Sequence, residues 1–244
     1  MRRFFIDQSD IHDTTAILKG PDAHHLRSVL RLKPDATICL FDGAGTVYHA
    51  RVVQIRHDTV ETRIISTTAQ APKGHCSVYL GQGILKGKKM DMVVQKATEL
   101  GIDTILPFTS QHCAVKKFDT SKEDRWKRIA IEACKQCNRP TPPACLPAAD
   151  FNTLLATKEP FDRKLIFWEK ETDASLHDIF TEGNRSQSVM ILIGPEGGFS
   201  DEECDKALSA GFLPVTLGRR ILRAETASIA AMAILQYLLG NLGG

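Results

Sequence analysis

Two rhythms of apolar and polar positions divide the chain. In residues 1–70 short β-rich runs alternate with turns: Ala36–Asp42 (ATICLFD) leads into Gly43-Ala44-Gly45, Val47–Arg56 alternates in character, His57-Asp58 turns, and Val60–Thr67 follows. Period-two runs bounded by turn residues predict a small antiparallel sheet or barrel. One helix interrupts it at Asp22–Arg31, where Leu26, Val29 and Leu30 form an apolar stripe and Pro34 prevents continuation. The segment Ala69-Gln70-Ala71-Pro72-Lys73-Gly74 reads as a linker, which places one domain at 1–70 and another at 75–244. Beyond it the rhythm becomes strands separated by helices, the pattern of a mostly parallel sheet covered on both faces. Strands are expected at Ser77–Gly81, Thr104–Phe108, Lys164–Trp168, Ser188–Ile193 and Pro214–Leu217. Helices are expected at Lys89–Leu100, closed by Gly101, and at Lys122–Gln136, Phe151–Thr157, Asp201–Ala210 and Glu225–Leu239.

Composition changes this picture only when resolved along the chain. The first 140 residues carry 22 Lys/Arg against 15 Asp/Glu, and the rest 9 against 14. A basic front half suits a polyanionic partner, although solvated charge distributed by chance reads the same way. No apolar run is long enough for a signal peptide or a membrane span, so a cytoplasmic protein is expected. Seven cysteines without a regular framework read as reduced thiols.

The most informative stretch runs from Met190 through Gly194-Pro195-Glu196-Gly197-Gly198-Phe199 to Ser200-Asp201-Glu202-Glu203. A buried strand ends in a loop nearly free of side chains, and a helix then opens with Ser200 as cap and Glu203 as its capping-box partner. Bare backbone of this kind meets a ligand. Phosphate would be repelled by Glu196, Asp201, Glu202 and Glu203, whereas S-adenosylmethionine, with a sulfonium, an ammonium and no phosphate, suits an acidic loop. A second loop, Leu217-Gly218-Arg219-Arg220-Ile221-Leu222-Arg223, leaves the next strand at the same sheet edge, where open parallel sheets bind ligands. The two loops can therefore line one pocket. The last helix, Ala227–Leu239 (ASIAAMAILQYLL), is apolar on nearly every side and is expected at a subunit interface or deep in the core.

Leu192-Ile-Gly-Pro-Glu-Gly-Gly, Leu217-Gly-Arg-Arg-Ile-Leu-Arg-Ala-Glu-Thr-Ala and Gln95-Lys-Ala-Thr-Glu-Leu-Gly101, with His24-His25-Leu26 and Val29-Leu30-Arg31, resemble the RsmE family over almost the whole chain. That family methylates N3 of a uridine in 16S ribosomal RNA. The resemblance implies an α/β protein: a small N-terminal PUA-like β-barrel and a C-terminal SPOUT-type parallel-sheet methyltransferase domain with a trefoil knot, working as a homodimer on 16S rRNA in the small ribosomal subunit. It implies that the cofactor S-adenosylmethionine is held by Trp168, Gly194, Pro195, Glu196, Gly197, Gly198, Leu217, Gly218, Ile221, Leu222, Arg223, Thr226 and Ala227, with the strand Leu165-Ile-Phe-Trp168-Glu169 as the remaining wall. Lys135 and His112 depart from the family's usual acid and arginine, which bears on RNA contacts at those positions.

Methyl transfer from a sulfonium depends on orientation, and uracil N3 must also lose a proton. Arg223 is expected to stabilise the charge developing on the base, Glu225 to orient it or relay the proton, and Arg3 to hold the RNA beside them. Phosphate contacts are expected from Arg3, His25, Arg27, Arg31, Lys86, Lys88, Lys89, Lys116 and Lys117. Cys134-x-x-Cys137 has no second cysteine pair and lies toward the negative end of a helix, so no metal site is expected. A non-catalytic RNA-binding protein, or a methyltransferase acting on another base or on ribose, remains the competing reading.

Overall fold

The computed structural model describes residues 1–69, 76–115, 121–157, 159–180 and 186–242. Apart from Ala69, the expected linker lies outside them, as do Lys116 and Lys117. Two compact units emerge: Met1–Lys73 with Ile131–Pro142, and Gly74–Ala130 with Pro143–Gly244. Residues 131–142, inside the span 75–244 that the linker sets off in sequence, group with the first unit, because an amphipathic pattern does not say whose core it covers.

The first unit is built on β1 (Arg3–Phe5), β2 (Ile11–His12), β3 (Thr15–Lys19), α1 (Gly20–His24), β4 (Thr37–Phe41), β5 (Thr46–Ile55) and β6 (Thr59–Ala69). Its sheet runs β1-β4-β5-β6-β3-β2; β1 pairs parallel with β4 and every other pair is antiparallel. β1 and β2, of three and two residues, are too short for periodicity to reveal, and the sequence reading passes over the five-residue β3, whose burial alternates. Alternate residues Ile38 and Leu40, Ala50 and Val52, with Leu18 and Val60, point into one core with Phe4 and Leu26. The expected helix 22–31 starts earlier, at Gly20 with Pro21 in its first turn, where a missing N–H costs nothing. It then widens into a π turn over His25–Val29, closed by Leu30 N–H to His25 O at 3.0 Å. The extra residue turns Val29 outward, 61% exposed, so only Leu26 and part of Leu30 of the expected stripe face the core. The β4–β5 turn is set by Asp42, whose Oδ1 accepts the Ala44 and Thr46 N–H groups at 2.8 and 3.0 Å.

The second unit contains β7 (Ser77–Gly83), α2 (Lys88–Glu99), β8 (Thr104–Thr109), the start of α3 (Ser121–Cys137), β9 (Ala144–Cys145), β10 (Ala149–Asp150), α4 (Phe151–Leu155), β11 (Arg163–Phe167), α5 (Leu176–Ile179), β12 (Ser188–Ile193), α6 (Asp201–Ser209), β13 (Leu213–Val215) and α7 (Ala224–Leu238). All its strand pairs are parallel, in the order β10-β8-β7-β12-β11-β13, with β9 also on β8. Both faces are covered, which is why the β12 run Val189–Ile193 is apolar without alternation. Val189, Ile191 and Ile193 face a core shared with α2, α7 and Trp126, while Met190 and Leu192 face Phe151, Phe199 and Cys204 on the other side. Each fully buried Leu or Ile here contributes roughly 1.5–3 kcal/mol. α7 buries Ser228, Ala231, Met232, Leu235 and Gln236, and its outer side leaves Ile234 44% and Tyr237 69% exposed. Within one chain this helix is therefore covered on one face only. Among the described residues no helix is long and apolar enough to cross a membrane.

Candidate functional site

The loop after β12 is shaped by what cannot fit beside it. A Cβ on Gly197 would lie 2.7 Å from His112 Cβ, and one on Gly198 would lie 2.6 Å from a Glu169 oxygen; Gly198 also holds φ at +69°. Both positions therefore need glycine. α6 begins immediately afterwards with the expected capping box: Ser200 Oγ accepts the Glu203 N–H at 3.2 Å, and Glu203 Oε2 accepts the Ser200 N–H at 3.0 Å. The same carboxylate takes the Gln111 N–H at 2.7 Å, and His112 Nδ1 lies 3.1 Å from Gly197 O. His112 thus packs on the glycine loop, an alternative role for a residue whose type departs from the family.

Three loops from the carboxyl ends of β11, β12 and β13 enclose one cavity of about 730 Å³. Trp168, Gly194, Pro195, Glu196, Gly197, Gly198, Leu217, Gly218, Ile221, Leu222 and Ala227 all line it. Arg223 and Thr226 are not among the lining residues; Arg223 is exposed at the cap position of α7. Glu169, at the end of the strand expected to wall the pocket, lines it as well, whereas sequence reasoning missed Glu171 and Asp173 in the loop after β11. Only the composition of that loop could have hinted at them, since the strand's end carried no glycine signature. Trp168 Nε1 is buried and has no hydrogen-bond partner.

Most acids near the cavity are already engaged. Glu196 Oε1 accepts the Lys86 backbone N–H at 3.0 Å and lies 3.4 Å from Lys89 Nζ. Burial pushes the Glu196 carboxyl up, but these two donors outweigh it and hold it below the usual glutamate value. Lys89 Nζ is also 3.4 Å from Glu225 Oε2, a buried oxygen that otherwise has no hydrogen-bond partner. One ammonium thus bridges the glycine loop and the start of α7. Lys89, expected on RNA phosphate, sits instead between two carboxylates; and among the described residues no ion pair joins Glu225 to Arg223, the partner it was expected to orient. A second link is fully buried: Ser228 Oγ donates to Gln82 Oε1 at 2.6 Å, and Gln82 Nε2 donates to Gly194 O at 3.4 Å.

The other expected RNA contacts that the structure describes belong to both units. Lys86 and Lys88 are exposed where α2 begins. In the first unit His25 meets Phe4 edge to face at 6.4 Å, Arg27 Nη1 donates to His57 O at 2.6 Å, and Arg31 is exposed with φ at +49°. Arg3, grouped with the catalytic pair in the sequence reading, lies within the first unit with its guanidinium 5.2 Å from the Phe41 ring centre and its Nη2 3.5 Å from Arg139 O. Lys135 is bonded to Asp22 at 2.7 Å and Glu132 at 2.6 Å; burial pulls its ammonium down, yet the two carboxylates hold it above its ordinary value. Burial pushes the Cys134 thiol up to about 12. Among the described residues no three His, Cys, Asp or Glu side chains are grouped to hold a metal.

The arrangement is that of an RNA methyltransferase: residues 72–236 match the RNA methyltransferase domain family, and residues 18–65 match the RNA methyltransferase PUA domain. The chain is 33% identical to ribosomal RNA small subunit methyltransferase E of Buchnera aphidicola over 92% of its length and 88% of that protein's. It is 28% identical to the Bacillus subtilis protein of the same name over 97% and 96%. The crystal structure of ribosomal RNA small subunit methyltransferase E from Neisseria gonorrhoeae bound to S-adenosyl methionine is similar over 100% of both chains, with a TM-score of 0.89 at 35% identity. The chain belongs to the ribosomal RNA small subunit methyltransferase E family.

Proposed function

We propose that the chain transfers a methyl group from S-adenosylmethionine to N3 of one uridine in 16S ribosomal RNA within the small subunit. The observation that carries this reading is the convergence of the loops after β11, β12 and β13 on one cavity walled by glycine backbone. Four carboxylates (Glu169, Glu171, Asp173, Glu196) and two arginines (Arg219, Arg220) line it, a balance that favours a cation over a phosphorylated nucleotide. Trp168, Gly194, Pro195, Glu196, Gly197, Gly198, Leu217, Gly218, Ile221, Leu222 and Ala227 would hold the cofactor, and Trp168 Nε1 is a buried donor in need of an acceptor.

When bound, S-adenosylmethionine supplies an electrophilic methyl on a positively charged sulfur. The protein must hold the acceptor in line and help N3 lose its proton. Arg223, whose side chain takes no part in capping α7, is the fixed cation for the negative charge that develops on the uracil carbonyls. Glu225, held beside Lys89, is the nearby carboxylate for the proton. Thr226 stands one position further along the same turn. The first domain, 1–70, binds the RNA with Arg3, His25, Arg27 and Arg31, and the methyltransferase domain, 75–244, adds Lys86, Lys88 and Lys116. We further propose a trefoil knot in the methyltransferase domain, a homodimer joined through the outer face of α7, a cytoplasmic location and a reaction without metal.

The test is a strain lacking the gene. Mass spectrometry of its 16S rRNA nucleosides should show 3-methyluridine lost and restored by the wild-type gene. Retention of that nucleoside would remove the assignment, and calorimetry showing no uptake of S-adenosylmethionine would remove the catalytic reading altogether.

A further inference from the structure

We propose that Glu169 makes the cavity prefer the charged methyl donor to the neutral product left after transfer. The inference rests on the cofactor reading above and gives a charge-dependent role to a residue that sequence placed only on the pocket wall. Each other acid around the glycine loop is committed. Glu196 is held by the Lys86 N–H and Lys89. Asp201 is bonded to Lys170, and Glu202 to Lys206 at 2.8 Å. Glu203 is consumed by the Ser200 and Gln111 N–H groups. Glu171 accepts the Asp173 and Ala174 N–H groups at 2.8 and 3.1 Å, and Asp173 takes the Thr172 hydroxyl at 3.3 Å.

Glu169 differs. Its carboxylate lies against the glycine loop, close enough that a Cβ on Gly198 would come within 2.6 Å of Oε1, and it lines the cavity. Among the described residues no hydrogen bond or ion pair engages it; the adjacent cation, Lys170, is bonded to Asp201 and lies 5.7 Å from the Trp168 ring centre. An unengaged negative charge on the wall can act on a ligand's charge. S-adenosylmethionine and S-adenosylhomocysteine share the adenosine, the ammonium and the carboxylate. They differ in the methyl and in the sulfur, a sulfonium in the first and a neutral thioether in the second. A fixed anion near the sulfur therefore stabilises the donor and not the product, which favours exchange of product for fresh donor.

The test is calorimetric titration of wild type, Glu169→Gln and Glu169→Asp with each of the two ligands. Glu169→Gln keeps the shape and removes the charge. It should weaken S-adenosylmethionine about tenfold, about 1.4 kcal/mol, within the range for unit charges a few ångströms apart in a partly wet site. S-adenosylhomocysteine should change by less than about twofold, and Glu169→Asp, which keeps the charge, should keep most of the preference. Equal loss of both ligands, no loss of either, or the same loss of preference in Glu169→Asp as in Glu169→Gln would overturn the inference. Wild type that takes up neither ligand would instead defeat the cofactor reading, so the two failures are told apart. Melting curves of both variants show whether an equal loss comes from damaged folding, and an equal loss with unchanged melting still counts against Glu169.

Discussion

Replacing Gly198 with alanine adds one methyl group at a point where the backbone and the cavity wall both object. The residue holds φ at +69°, a region in which an L side chain costs roughly 1–2 kcal/mol. For a chain of this size each kcal/mol lowers the melting temperature by about 2–4 °C, so a fall of about 2–8 °C is expected. The new Cβ would also meet Glu169 Oε1 at 2.6 Å. That oxygen ends a flexible side chain, which swings away rather than breaking the fold, so the clash should appear in ligand binding more than in stability. Displacing that charge should weaken S-adenosylmethionine on the order of tenfold. Gly211→Ala is the control: its φ is +85° and a Cβ there meets nothing within 4 Å. It should reproduce the fall in melting temperature and leave binding alone. Melting curves and calorimetry on the two variants decide the matter. If Gly211→Ala weakens the cofactor as much as Gly198→Ala, or if Gly198→Ala binds like wild type, the argument from the wall is wrong.

Other expectations follow from the same geometry. Arg223→Ala should reduce turnover by at least about a hundredfold, the scale of one lost charge-stabilising group, while cofactor affinity measured by calorimetry stays within about threefold; a normal rate would take Arg223 out of the mechanism. Lys89→Met should move the acid limb of stability to higher pH. Glu196's folded carboxyl lies below its usual value, so it stabilises the fold above the unfolded pKa and loses that contribution as pH falls through the folded one. Removing Lys89 raises the folded value, so an unchanged acid limb would contradict the bridge. Ile234→Asp with Tyr237→Ser should convert a dimer to a monomer in analytical ultracentrifugation, because charge is placed on the exposed face of α7; a dimer that survives both changes uses another surface.

Much of the architecture is written in local pattern. Strand β12 falls on Ser188–Ile193 as its unbroken apolar run predicts, since a strand buried on both faces has no polar side to show. The capping box at Ser200 and Glu203 is also readable, because both partners lie within one turn. Short strands such as β1 and β2 are not, since two or three residues carry no period and are fixed by their neighbours. The π turn at His25–Val29 reverses the expected orientation of Val29 for a similar reason: one inserted residue changes a helix face without changing composition.

By itself the sequence determined the two rhythms, the glycine loop and the loop after β13, because each depends on backbone freedom and residues adjacent in the chain. Only the tertiary structure decided which charges remain available. Lys89 reads as a surface cation until Glu196 and Glu225, far along the chain, close around it. Lys135 likewise reads as a departure from a pattern until Asp22 is found beside it. Glu169 has the opposite history: in sequence only the end of a strand expected to wall the pocket, it faces the cavity, and among the described residues no hydrogen bond or ion pair engages it. Electrostatic roles depend on separations in space, and those are set by packing between segments that the linear order keeps apart.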